Sequence, residues 1–139
     1  MASKLTDADY LALADFRYSL RQFQAFSEGK AAQCGLSPQQ HQALLVIRAA
    51  PPGTATIGHV AERLILKPHS ATGLVNRMES MGLVRREPSA HDKRQALLSL
   101  TAEALRTLET LSATHREEIG RLRPTLMQLL ELIEDPERR

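Results

Sequence analysis

Hydrophobic and polar residues separate onto two faces when residues 67–81 are placed on a helical repeat. One face is an apolar stripe spaced i, i+3, i+4, i+7, which consists of Ala71, Leu74, Val75 and Met78. The opposite face has hydrogen-bonding groups and one fixed cation but no large hydrophobe; it consists of His69, Thr72, Gly73, Asn76 and Arg77, with Ser70 at its border. A helix of about 12–14 residues with this division has the properties of an element that reads the major groove of DNA.

The residues just before this segment predict a second, shorter helix. The same apolar spacing recurs at Ile57, Val60, Ala61 and Leu64. Thr56 stands at the N-cap position, and Pro68 stands where the longer helix begins, a position at which proline is favoured. Two short helices separated by a few residues predict a helix-turn-helix.

The residues that follow predict a two-stranded wing. Gly82 can end the second helix in a left-handed conformation. Residues 83–87 and 95–100 have strand-like patterns, and a basic loop, residues 88–94, joins them. Residues 54–56 can add a short extended piece beside the wing. The fold class predicted is mainly α (α+β), a winged helix-turn-helix.

Amphipathic helices flank the wing unit on both sides. Residues 6–31 begin with Thr6 and Asp9, which resemble a capping box, and their apolar stripe contains Leu13, Phe16, Leu20, Phe23 and Phe26. A further helix begins at Ser37, because Ser, Pro and Gln occupy its N-cap, N1 and N3 positions, and it ends near residue 50. Residues 101–134 form a long helix that Pro124 should bend near residues 121–124, leaving a short final helix.

The two long terminal helices predict an obligate homodimer. One small winged helix cannot cover both of their apolar stripes, whereas a second copy can do so through a two-fold interface. We therefore expect residues 1–139 to form a single domain, with dimerisation helices in 1–33 and 101–139 and a DNA-binding unit in 54–100. The aromatic residues of the first helix have a second interpretation, in which Phe16, Arg17 and Leu20 line a small-molecule pocket.

Charge and composition favour duplex DNA as the partner. The chain carries a net charge of +2, and residues 57–100 contain seven Lys or Arg, Lys67 among them, against four Asp or Glu. Aromatic residues make up only 4% of the chain, and none lies between residues 57 and 100. Modules that bind single strands or RNA stack bases on exposed aromatic rings, so these modules are disfavoured.

The cysteine content and the apolar runs indicate a compartment. A single cysteine, Cys34, excludes an internal disulfide and fits a reducing environment. The N-terminus has no apolar core typical of a signal peptide, and no apolar run is long enough to span a membrane. We therefore expect a cytoplasmic protein without membrane contact.

The order of elements resembles that of the MarR family of bacterial transcription regulators over nearly the whole chain. The local matches are residues 74–79, which read LVNRME, the Gly-Leu-Val at 82–84, and the Asp-Lys-Arg at 92–94 followed by Leu-Thr at 100–101. The resemblance implies that Asp92 and Arg94 shape the wing and that Lys93 and Arg94 reach the minor groove. It also maps recognition-helix contacts onto Pro68, His69, Ser70, Thr72, Asn76 and Arg77. Gly73 departs from the family, in which many members carry a larger polar residue there.

These observations predict a dimeric regulator, acting as a repressor, that reads a pseudo-palindromic operator. By resemblance, a small-molecule effector modulates its DNA affinity. Arg77 can hold guanine or phosphate, or instead form an internal ion pair, and Asn76 can read adenine if it reaches the base edge. Asp92 can equally be a simple turn residue.

Other functional classes have weaker support. A metal-responsive regulator would need a ligand cluster, but the five histidines lack metal-ligand spacing, so we expect no metal and no cofactor. Catalytic motifs are absent, which argues against an enzyme. A winged helix that makes only protein contacts remains an alternative. Some relatives sense peroxide through a cysteine early in the first helix, but Cys34 lies at that helix's end, which favours an inert, partly buried thiol.

Overall fold

The computed structural model describes residues 4–89 and 94–134, and the side chains as far as residue 132. Its elements follow the predicted order: α1 (Asp7–Gln33), α2 (Pro38–Ala49), α3 (Ile57–Leu64), α4 (Pro68–Ser80), β1 (Val84–Pro88), β2 (Ala96–Leu100) and α5 (Ala102–Glu134). The mainly helical fold class with a small sheet is confirmed. Apart from the short final helix expected after Pro124, each predicted helix and strand is present within a few residues of its expected bounds.

The chain divides into two compact units. Unit 1 contains residues 1–29 and 113–139, and unit 2 contains residues 30–112. The boundaries fall inside α1 and α5, so each long helix contributes one segment to each unit. The helix-turn-helix and the wing belong entirely to unit 2.

Local side-chain signals fix where the shorter helices begin. Ser37 and Gln40 form a complete capping box at α2, with Pro38 in the first turn. Thr56 caps α3 by accepting a hydrogen bond from the backbone N–H of His59 at 3.1 Å. Each of these caps satisfies an N–H group that has no partner within its own helix.

The core of unit 2 is formed by the apolar faces of its helices together with the sheet. Leu44 of α2, Val60 of α3 and Val75 of α4 are completely buried. The rest of this cluster includes Ala31, Leu36, Ala43, Ile47, Leu74, Met78, Leu83, Val84, Leu98, Ala104, Leu108 and Leu111. Burial of these side chains holds the helix-turn-helix against the wing, because apolar area removed from water is the main favourable term in folding.

The wing is a two-stranded antiparallel sheet in which Val84 pairs with Leu100 and Pro88 with Ala96. Leu98 is the buried residue of β2, and its backbone N–H donates to the carbonyl of Ala55 at 2.7 Å. This single bond is what the predicted extended piece at residues 54–56 contributes. Gly82 has a φ of 73°, so α4 ends next to a left-handed residue, as predicted.

Unit 1 contains a segment of α1 and a segment of α5. Thr6 and Asp9 form the predicted cap, in which the carboxylate accepts from the Thr6 N–H at 2.8 Å. Further along, the buried His115 lies 2.8 Å from Ser27 Oγ through Nε2, and the rings of Phe23 and Phe26 meet its imidazole edge-on. The segments of α1 and α5 in unit 1 are thus joined by the hydrogen bond between His115 and Ser27 and by ring contacts of His115 with two phenylalanines.

Two expectations from the sequence are wrong. First, α5 continues as one helix through Pro124 to residue 134, so there is no separate final helix. Proline removes only one hydrogen bond and crowds one turn, and a long helix can absorb that cost locally. Second, Cys34 is exposed, not partly buried, because it lies in the turn after α1 and not on a packed face. Over residues 4–89 and 94–134, no helix is long and apolar enough to cross a membrane.

Candidate nucleic-acid interface

Helix α4 has the two faces that its sequence predicts. Ala71, Val75 and Met78 are completely buried, and Leu74 is 2% exposed. The residues at its start and the polar residues along its other face are exposed: Lys67, Pro68, His69, Ser70, Thr72, Asn76 and Arg77. The apolar stripe therefore holds the helix to unit 2 and leaves the hydrogen-bonding side chains in solvent.

The turn between α3 and α4 contains a conformation that the sequence did not suggest. Ile65 caps α3 with φ 55° and ψ 51°, the left-handed region, and its side chain is 92% exposed. The turn is closed by the N–H of Leu66, which donates to the Ala61 carbonyl at 2.8 Å. Glycine or asparagine would be the usual signal for such a turn, and neither residue is there.

Hydroxyl groups on α4 are partly engaged by the helix itself. Thr72 Oγ1 donates to the Pro68 carbonyl at 3.0 Å, so its proton is not available to DNA although its oxygen can still accept. Ser70 makes a backbone hydrogen bond to the Lys67 carbonyl in the first turn, and its side chain is exposed. Ser70 is thus the better candidate for a hydroxyl donor on this face.

Arg77 extends along the surface of α4 over Gly73. A Cβ placed on Gly73 would lie 3.8 Å from Nη1 of Arg77, which is ordinary van der Waals contact. Within the described part of the chain Arg77 forms no ion pair, so the internal pairing considered for it is not seen. Gly73 therefore removes a base-contacting side chain but leaves open surface beside the guanidinium.

Arg86 of β1 is a residue that the sequence analysis did not single out. Its Nη2 donates to Oδ1 of Asn76, and its Nε lies 3.2 Å from Oε2 of Glu79. Nε is buried and makes no aligned hydrogen bond to any described residue, so the contact with Glu79 is an ion pair. Arg86 could be identified only from the packing of β1 against α4, and the spacing of residues along the sequence does not show that packing.

The base of the wing is well defined, and its tip lies outside the described residues. Asp92 and Lys93 belong to that tip, so their predicted roles stay predictions. Arg94 is described and exposed, and next to it the N–H of Ser89 donates to the Gln95 carbonyl at 3.1 Å, which closes the loop. Thr101 fixes the other end of the wing by donating from Oγ1 to the Gly82 carbonyl at 2.7 Å.

The sequence also raised a small-molecule pocket in the first helix and a metal site. Phe16 lines an apolar cavity of about 570 Å³ in unit 1, whereas Arg17 and Leu20 are exposed and do not line it. The other lining residues are Leu5, Asp9, Ala12, Leu13, Leu126, Leu129 and Leu130. Among the residues that the structure describes, no three His, Cys, Asp or Glu side chains are grouped as metal ligands.

An exposed polar helix, packed by its apolar back against a helix-turn-helix core and followed by a two-stranded wing, defines a winged helix-turn-helix protein. The profile of the MarR family matches residues 35–95, which include α2, α3, α4 and β1. Residues 35–95 thus match the MarR family, in agreement with the resemblance found in the sequence.

Individual relatives agree with this resemblance. The organic hydroperoxide resistance transcriptional regulator of Bacillus subtilis is 31% identical over 90 residues, which cover 58% of this chain and 61% of that protein. The match thus spans less than two thirds of the relative. The fold of this chain is similar to that of AbsC, a MarR family transcriptional regulator from Streptomyces coelicolor. The TM-score is 0.74, and the two sequences are 22% identical, over 96% of this chain and 92% of AbsC. The MepR–DNA complex of S. aureus gives a TM-score of 0.63 and 19% identity, over 92% and 98% of the two chains. The B. subtilis protein and AbsC are both transcriptional regulators.

Proposed function

We propose that this protein is a transcription regulator that binds duplex DNA by placing α4 in the major groove. The observation that carries the proposal is the division of α4 into a buried apolar face and an exposed face that bears Ser70, Asn76 and Arg77. A groove-reading helix needs donors and acceptors on its outer face and a rigid support behind it. The similarity of the fold to that of the MepR–DNA complex supports the same placement.

The cations around α4 supply the phosphate contacts in this proposal. Lys67 at the start of α4, Arg85 on β1 and Arg94 beside the wing tip are all exposed. Positive side chains of this kind release counterions from DNA when they bind, which gives affinity without sequence preference. We assign Lys93 and Arg94 to the minor groove, on the family resemblance.

We propose a two-fold symmetric homodimer because unit 1 exposes many large apolar side chains. Eleven of the fifteen large apolar side chains found exposed in the described residues belong to this unit, among them Leu13, Phe16 and Leu130. This concentration of exposed apolar side chains in one unit suggests a surface that another molecule covers. A second copy would cover it, and the resulting dimer would bind a pseudo-palindromic site with half-sites about one helical turn apart or a multiple of it.

Regulation by a small molecule is part of the proposal. The cavity lined by Phe16 is apolar and of a size that suits a drug-like ligand. It shares Leu13, Phe16 and Leu130 with the surface that a second copy would cover, so a ligand there would bind at the edge of the proposed dimer interface. A ligand there would change how the dimer presents its two α4 helices. By occupying promoter DNA in the cytoplasm, the dimer would act as a repressor.

The direct test is fluorescence anisotropy with duplexes obtained by selection from random sequence. We expect a dimer to bind a symmetric selected duplex more tightly than a scrambled one. A dimer that neutralises about six phosphates should lose roughly a thousandfold in affinity between 50 and 200 mM salt. Equal retention of selected and scrambled duplexes at every salt concentration would contradict the proposal.

A further inference from the structure

Arg86 joins the first wing strand to the reading helix through two contacts. Its guanidinium donates from Nη2 to Asn76 Oδ1 and pairs through Nε with Glu79, 3.2 Å away. Asn76 and Glu79 are three residues apart on α4, so one side chain of β1 spans about one turn of the helix. The Arg86 side chain is only 29% exposed, which indicates a fixed group, not a mobile surface cation.

This arrangement dictates the orientation of the Asn76 amide. A guanidinium has only donors, so it can contact the amide oxygen favourably and not the amide nitrogen. With Oδ1 held toward β1, Nδ2 is the atom of Asn76 that stays available to an outside partner. No described residue accepts a hydrogen bond from Nδ2.

The orientation bears on which base Asn76 can read. Reading adenine requires both amide atoms, with the oxygen accepting from N6 and the nitrogen donating to N7. Here one lone pair of the oxygen accepts from Arg86, and the positive charge beside the oxygen disfavours the approach of adenine's amino group to the other. An acceptor suits the remaining donor better, whether it is guanine O6 or N7, thymine O4 or a phosphate oxygen.

We propose that Arg86 is a positioning residue that makes Asn76 a donor-only contact, directed at an acceptor on DNA and not at adenine. The inference rests on the proposed function, and it replaces the adenine-reading role that the sequence suggested for Asn76. Arg86 itself needs no contact with DNA. Its effect on base preference acts through the amide that it holds.

The test compares base preferences of the wild type, Arg86→Met, Asn76→Ala and the double variant by selection from random duplexes. Wild type should show no adenine preference that depends on Asn76. Arg86→Met releases the amide and should gain an adenine preference of roughly fivefold or more at one position in each half-site. The double variant should lose that gain. Arg85→Met, which removes an exposed cation of the same strand, should lower affinity for all sequences alike.

The Asn76→Ala profile distinguishes the two sources of acceptor. Loss of a guanine or thymine preference indicates a base, and a uniform loss of affinity indicates a phosphate; either result supports a donor-only contact. An adenine preference of the wild type that Asn76→Ala removes would overturn the proposal. So would an Arg86→Met profile identical to that of the wild type.

A second measurement does not depend on DNA. Side-chain amide signals of Asn76 in a ¹H–¹⁵N spectrum of the free protein should lie away from random-coil positions and move toward them in Arg86→Met. Wild-type signals already at random-coil positions would overturn the proposal even if Arg86→Met failed to fold. If the wild type selected no sequence at all, the proposed function would fail, and this spectrum would still decide whether Arg86 holds Asn76.

Discussion

Replacing Ile65 should stabilise the protein, because this residue has an unfavourable backbone conformation and buries nothing. For a residue with a Cβ, the left-handed region costs roughly 1–2 kcal/mol, and β-branching makes it worse. The turn cannot rotate away from it, since the backbone N–H groups of Ile65 and Leu66 donate to carbonyls of α3. With the side chain 92% exposed, its removal forfeits almost no hydrophobic burial.

The variant Ile65→Asn keeps a side chain but tolerates this region, so we expect a gain of about 1 kcal/mol in the free energy of unfolding. For a chain of this length that gain corresponds to a rise in Tm of about 3–5 °C. Ile65→Gly relieves the same strain but adds about 0.5–1 kcal/mol of unfolded-state entropy, so it should gain less.

The assay is urea unfolding followed by circular dichroism at one fixed protein concentration, because dimerisation would couple stability to concentration. The midpoint should rise for Ile65→Asn with an unchanged m-value. Ile65→Val is the matched control, since it keeps the β-branch, and it should stay within about 0.5 kcal/mol of the wild type. If Ile65→Asn and Ile65→Val had equal midpoints, or if Ile65→Asn were the less stable of the two, the strain argument would be refuted.

Three further predictions concern packing, assembly and the thiol. Leu74→Ala should lower the free energy of unfolding by about 2–5 kcal/mol in thermal or urea unfolding, because it leaves a cavity in a fully packed site. Ser70→Ala, at an exposed position of the same helix, should change that free energy by less than about 0.5 kcal/mol. Similar losses in both variants would contradict the division of α4 into a buried and an exposed face. Leu13→Asp places a charge at a 53% exposed apolar position and should convert the dimer into a folded monomer, which light scattering would detect as a mass of 15.4 kDa. A dimer that the substitution leaves unchanged would argue against this surface as the interface. The exposed Cys34 should react with a thiol reagent in the native protein without denaturant. Cys34→Ser should leave DNA affinity unchanged. If peroxide changed DNA binding in the wild type and not in Cys34→Ser, Cys34 would have a redox role.

Much of the fold could be predicted from the sequence because its signals are local. The capping box at Ser37 and the proline at the start of α4 each act within one turn, so they are visible as spacing. The apolar repeat that ends at Met78 likewise determined which face of α4 is buried. These signals agree with one another along the chain, which is why the order of elements was correct.

The features that the sequence did not indicate depend on distant residues. The contact of Arg86 with Asn76 requires the pairing of β1 with α4, which no periodicity encodes. Ile65 adopts a glycine-like conformation because the two helices on either side impose it. The separate final helix expected after Pro124 is not present, because a rule about one proline does not include the stabilisation that the rest of a long helix gains by continuing.

In the proposed regulator, the exposed face of α4 contacts the bases of duplex DNA. The most direct test is to compare the selected binding sites of the wild type, Arg77→Ala and Arg106→Ala, the last of which removes an exposed cation of α5 as a matched control. We expect a two-fold symmetric wild-type site, loss of preference at corresponding positions of both half-sites in Arg77→Ala, and an unchanged preference in Arg106→Ala. No enriched site for the wild type, or the same change in both variants, would contradict it.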